Sequence, residues 1–102
     1  IPDRHLEFLG NLVNFYATDQ YIFVHAGLRP GLPLEDQDEF DMLWIRREFI
    51  VSKYAWGRTI VYGHTPVDEP YLGEHRIGLD TGCVYGHKLT CCEVKTRQVW
   101  QA

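Results

Sequence analysis

Two short apolar runs in this sequence each end in a small residue and a histidine, and together they constrain the chain more than anything else in it. Tyr21-Ile22-Phe23-Val24 leads into His25-Ala26-Gly27, and Ile60-Val61-Tyr62 leads into Gly63-His64-Thr65-Pro66. Runs this short and this rich in β-branched and aromatic residues read as buried strands. A lone His25 would read most simply as a strand-end imidazole satisfied by backbone partners. A second strand of the same design allows two imidazoles to reach one edge of one sheet, where α/β folds place their chemistry. Neutral imidazole is a good ligand for zinc, manganese or iron, but two ligands do not complete a site.

The elements around these strands follow from periodicity and breakers. In residues 2–18, Leu6, Leu9, Val13 and Tyr16 recur at helical spacing opposite Glu7, Asn11, Asn14 and Thr18. With Pro2 and Asp3 suited to a first turn, this predicts one amphipathic helix, followed by a turn at Asp19 and Gln20. Residues 29–35 hold two prolines and a glycine and read as loop. A helix is predicted from Asp36 to about Ile50, with room for a break into two pieces, because its acidic start and late arginines match the dipole. Further strands are expected at 59–63, 76–80, 88–95 and 98–101, the last two joined by a turn at Thr96 and Arg97. The order gives an α/β (α+β) layout, a mixed sheet with helices at one side.

Length and composition narrow the classes. At 102 residues the chain holds one domain at most, and 45% hydrophobic content argues for a globular one. A net charge of −4 supplies no basic field for nucleic acid, and no run is long enough to span a membrane. Cys83, Cys91 and Cys92 make a poor disulfide framework, which leads to an expectation of reduced thiols in a cytoplasmic protein. A structural zinc site from Cys83, His87, Cys91 and Cys92 is disfavoured, since adjacent strand residues face opposite ways. The chain opens at Ile1 and runs directly into a helix pattern, which suggests a segment of something longer.

Taken in order, FVHAGLRPG, LWIRREF, VYGHTPV and IGLDTGCVYGHKLT resemble the second half of the calcineurin-like metallophosphoesterases. The resemblance is narrower to the bacterial and phage branch of the serine/threonine protein phosphatases, a family that also contains diadenosine tetraphosphate hydrolases. It implies the C-terminal half of a β-sandwich with helices outside, spanning residues 1–102. It implies that His25 and His64 bind the second of two divalent ions (manganese, iron or zinc), that Arg46 grips the substrate phosphate with Arg47 beside it, and that Tyr85 lies by the phosphate pocket. The residue types agree: guanidinium suits bidentate phosphate binding and a tyrosine at a loop tip can donate a hydrogen bond. Each also has a plainer reading. Arg46 and Arg47 have a dipole reason to end a helix, Tyr85 can be packing, Asp80 reads as a turn former, and His5 and His75 read as surface residues. Where the family carries a small residue and then a basic one after VYG, this sequence has His87 and Lys88.

The family's first-half motifs GDxHG, GDxxDRG and GNHE do not occur in these 102 residues. They would supply the remaining metal ligands and the acid for the leaving group. The expected activity is therefore hydrolysis of phosphomonoesters by metal-activated water, in a longer protein that supplies the missing half of the domain, with a phosphorylated protein or a nucleotide as substrate. Hydrolysis of diadenosine tetraphosphate is the alternative within enzymes. A noncatalytic fragment or interaction module is the alternative outside them.

Overall fold

A computed structural model describes all of residues 1–102. Its centre is a five-stranded sheet in the order β1-β2-β3-β5-β4, formed by β1 (Phe15–Ala17), β2 (Tyr21–Val24), β3 (Thr59–Tyr62), β4 (Tyr71–Leu72) and β5 (Arg76–Gly78). The middle strands β2, β3 and β5 run parallel, with Ile22 beside Ile60 and Ile60 beside Arg76, while β1 and β4 add antiparallel edges. A separate hairpin, β6 (Thr90–Glu93) with β7 (Gln98–Gln101), completes a mixed α+β arrangement.

The helices within residues 39–50 lie on one face of the sheet. Ile22 and Val24 of β2 and Ile60 and Tyr62 of β3 turn to that face, where they join Ala26, Leu28, Met42, Ile45 and Phe49 in one core cluster. Alternation along each strand accounts for the pattern, since residues two apart share a face. Helix α2 (Glu39–Trp44) starts at Asp38, whose carboxylate accepts the Phe40 N–H. It ends at Trp44, and α3 (Arg47–Ile50) follows after two non-helical residues, Ile45 and Arg46. The helix predicted over Asp36–Ile50 is thus two helices, preceded by a 3₁₀ turn at Leu34–Asp36.

The helix predicted over residues 2–18 is the main correction. Only α1 (Asp3–Gly10) is helical, and the chain then extends into β1. Pairing with β2 decides this: Phe15, Tyr16 and Ala17 lie opposite Val24, Phe23 and Ile22. The ladder and the partly buried Phe15 and Ala17 outweigh a periodicity that buries no residue of α1. The turn at Asp19 and Gln20 forms as expected, tied by the Thr18 N–H donating to the Tyr21 carbonyl and the Tyr21 N–H donating to the Thr18 hydroxyl. Strand β4 was not expected, and the predicted strands at 59–63, 76–80 and 88–95 are each shorter than read.

Two contacts fix the segment between β2 and α2. Arg29 meets Asp41 through Nε to Oδ2 at 3.1 Å and Nη2 to Oδ1 at 2.7 Å, while the Gln37 side chain brackets the Arg29 backbone from both sides. The Ala26 N–H donates to the Met42 carbonyl at 2.9 Å. Gly27 then leaves room for Phe49, whose ring carbon would sit 2.5 Å from a Cβ at that position. The His-Ala-Gly sequence after β2 is therefore as much a packing device for α3 as a place for a histidine.

Candidate metal centre

Because β2 and β3 are parallel neighbours, their C-terminal ends lie side by side. His25 directly follows β2 and His64 follows β3 by one residue, so the two imidazoles meet: Nε2 of His25 is 3.1 Å from Nδ1 of His64. The backbone joins the same two turns, the Gly63 N–H donating to the His25 carbonyl at 2.8 Å. His64 itself has a positive φ of 67°, and the Thr65 N–H closes back on the Gly63 carbonyl at 2.7 Å. This is the rarer, positive-φ form of the γ-turn, a strained conformation for a residue with a Cβ. It aims the His64 ring back toward His25.

Arg46, between α2 and α3, donates from Nε to Nε2 of His64 at 3.3 Å. Trp44 packs edge-on against the same imidazole, with ring centroids 5.7 Å apart. Burial lowers the His64 pKa first, and the neighbouring His25 and Arg46 lower it further against the opposing backbone of Trp44 and the charge of Asp80. The ring is therefore neutral at pH 7, the form that ligates a metal.

The donor set can be tested against an ion. With metal–nitrogen bonds of about 2.0–2.1 Å, two donors on one ion lie roughly 3.0–3.4 Å apart. The 3.1 Å separation of the two ring nitrogens falls in that interval. No group of three or more His, Cys, Asp and Glu side chains forms a complete cage in this chain. The pair fits as part of a ligand set and not as a whole one. The same observation disposes of the zinc site from Cys83, His87, Cys91 and Cys92, whose thiols are free.

An open cleft of about 620 Å³ surrounds the pair and is lined by His25, His64, Asp80 and Lys88 among a mostly apolar wall. Asp80 accepts the Gly82 N–H at 3.0 Å, the turn-forming role read from the sequence, and its backbone carbonyl receives the Val67 N–H. Tyr85 is not brought into this cleft. It sits on a 3₁₀ turn (Cys83–Tyr85), 71% exposed, beside an adjoining depression with Pro66, Glu69 and His87 that shares Thr81 and Lys88 with the cleft. Arg47 opens α3 and is exposed, with no side-chain hydrogen bond. Sequence reasoning gave Trp44 no place in the site; its signal was an aromatic residue two before Arg46.

The fold is shared with a protein of known structure. A crystal structure provisionally assigned as a diadenosine tetraphosphatase superposes with a TM-score of 0.81, at 22% identity, over 100% of this chain and 55% of that one. Among sequences, an asymmetrical bis(5'-nucleosyl)-tetraphosphatase PrpE of Oceanobacillus iheyensis is 54% identical over 46 residues, and one from Bacillus subtilis is 48% identical over 46 residues. These matches take in 45% of this chain, which spans only 18% of the length of either relative. No protein-family model matches the chain.

Proposed function

We propose that this chain is the portion of a metal-dependent phosphoesterase domain that holds one side of the metal centre and the phosphate, and that the substrate is a dinucleoside polyphosphate. The observation that carries the reading is the convergence of His25, His64 and Arg46 at the ends of two parallel strands. His25 and His64 would supply two imidazole nitrogens for one divalent ion; the other ligands come from outside this set. Ions bound there supply positive charge at the phosphoryl oxygens and activation of water.

The chain's own residues then have distinct tasks. Were His64 to hold an ion through Nδ1, its proton would sit on Nε2, and the Arg46 guanidinium, no longer donating there, would be free to meet two phosphoryl oxygens of the substrate with its fork. Lys88 adds positive charge in the same cleft, and Tyr85, in the depression beside it, would meet only a substrate that extends beyond the cleft. The substrate choice rests on the names of the relatives, which are asymmetrical bis(5'-nucleosyl)-tetraphosphatases.

The test is a substrate panel on the longest natural form of the protein, loaded in turn with manganese, iron and zinc. Diadenosine tetraphosphate is expected to be cleaved with a kcat/KM well above that of a phosphoserine peptide. A preference for the peptide would transfer the site to the protein phosphatases, and no hydrolysis of either would favour the noncatalytic reading.

A further inference from the structure

A second cavity, of about 490 Å³, opens at the other end of β3 and shares no lining residue with the cleft around His25 and His64. Its walls are aromatic. Tyr54 and Trp56 stand edge to face with centroids 4.8 Å apart, and Tyr71 faces them from β4. The guanidinium of Arg76 lies over the Tyr71 ring at 4.5 Å and over Phe49 and Tyr62 at 5.9 Å each. It donates from Nη1 to the Tyr62 hydroxyl at 2.7 Å.

That arrangement leaves Arg76 half-buried without a counter-charge. The ion pairs of the chain are Arg29 with Asp41 and His75 with Glu74, and neither involves Arg76. Glu74, also at the rim, has its side chain 88% exposed and turned to His75. A desolvated guanidinium ordinarily meets a carboxylate or phosphate, and here the aromatic faces hold it in place while its other donors stay free. Two glycines make the site possible: a Cβ at Gly78 would lie 2.8 Å from the Tyr62 hydroxyl, and one at Gly73 would strike the Tyr71 ring.

We propose that this cavity binds a purine nucleoside monophosphate, its base stacked on the Tyr54–Trp56–Tyr71 walls and its phosphate received by Arg76 with Lys53 nearby. The volume suits a ligand of that size, and aromatic walls with one placed cation are the chemistry of base stacking and phosphate capture. The site stands apart from the His25–His64 centre and does not depend on what that centre hydrolyses.

Calorimetric titration of the metal-free protein with AMP, adenosine and inorganic phosphate tests it. AMP is expected to bind, with adenosine about tenfold weaker because a charge-assisted bond is lost. Arg76→Gln is expected to weaken AMP by a similar factor, and Tyr54→Ala, at an exposed wall position that leaves the core intact, to weaken AMP and adenosine alike. His64→Ala is expected to leave the AMP isotherm unchanged. An absence of AMP binding, an isotherm insensitive to both cavity variants, or one abolished by His64→Ala would overturn the assignment.

Discussion

At the scale of single residues, His64 carries the most information, because its backbone is strained for the sake of its ring. A positive φ of 67° costs a residue with a Cβ roughly 1–2 kcal/mol relative to glycine. His64→Gly and His64→Ala should therefore separate stability from function. Both lose the metal donor, but the glycine variant is expected to melt above the alanine variant by a difference worth about 1 kcal/mol, which a pair of thermal scans would read. Arg46 and Arg47 also separate. Arg46 touches His64, so Arg46→Ala is expected to lower kcat/KM by about 10²-fold or more, with a much smaller loss for Arg47→Ala. Equal losses in steady-state assays would contradict the placement. The sequence showed both histidines plainly, since each closes an apolar run. Residue pattern alone gave Arg46 and Arg47 the same helix-end reading, and only the family resemblance set Arg46 first, because their separation depends on where one helix breaks and the next begins.

At the scale of elements, the parallel pair β2 and β3 creates the site, and the segment from Gly27 to α3 holds Arg46 against it. Gly27→Ala would drive a methyl into Phe49, an overpacking expected to cost about 1–3 kcal/mol, measurable by urea unfolding. The Arg29–Asp41 pair should give this segment a pH dependence. Bonding to Arg29 holds the Asp41 carboxyl below its ordinary range, so its contribution is present above the unfolded carboxylate pKa and fades as pH falls through the lower folded value. Asp41→Asn is expected to cost about 1 kcal/mol near neutrality, a figure kept small by the exposure of Arg29. The two proteins should converge in stability at acid pH. The strands and the broken helix were legible because their apolar residues face a core. The predicted helix over residues 2–18 was not, because periodicity cannot show that Phe15 and Ala17 have a neighbouring strand to pair with.

At the scale of the whole molecule, the helix-side core is dense and the opposite side is open. Only 15 of 102 residues are buried, and the surface of 7291 Å² exceeds by roughly 1,300 Å² the area expected for a monomer of this mass. Part of the surplus is apolar: Leu6, Phe8, Leu9, Val13 and Tyr16 are all more than half exposed, and Val13 and Tyr16 line the cleft. Burial on that scale matches a protein interface, which agrees with a ligand set that this chain only begins. No helix is long and apolar enough to cross a membrane. Amide exchange should follow the same division, with Ile22, Ile60 and Ile77 protected and α1, which buries nothing, exchanging fast.

The central claim is that His25 and His64 are donors to one ion, and metal stoichiometry tests it most directly. The longest natural form of the protein, loaded with manganese, iron or zinc and freed of excess, would be assayed for bound metal by elemental analysis beside its His25→Ala and His64→Ala variants. Each variant is expected to retain less metal per chain than the parent and to lose hydrolysis of diadenosine tetraphosphate with it. Unchanged metal content and turnover in both variants would show that the 3.1 Å pair is a hydrogen bond and nothing more.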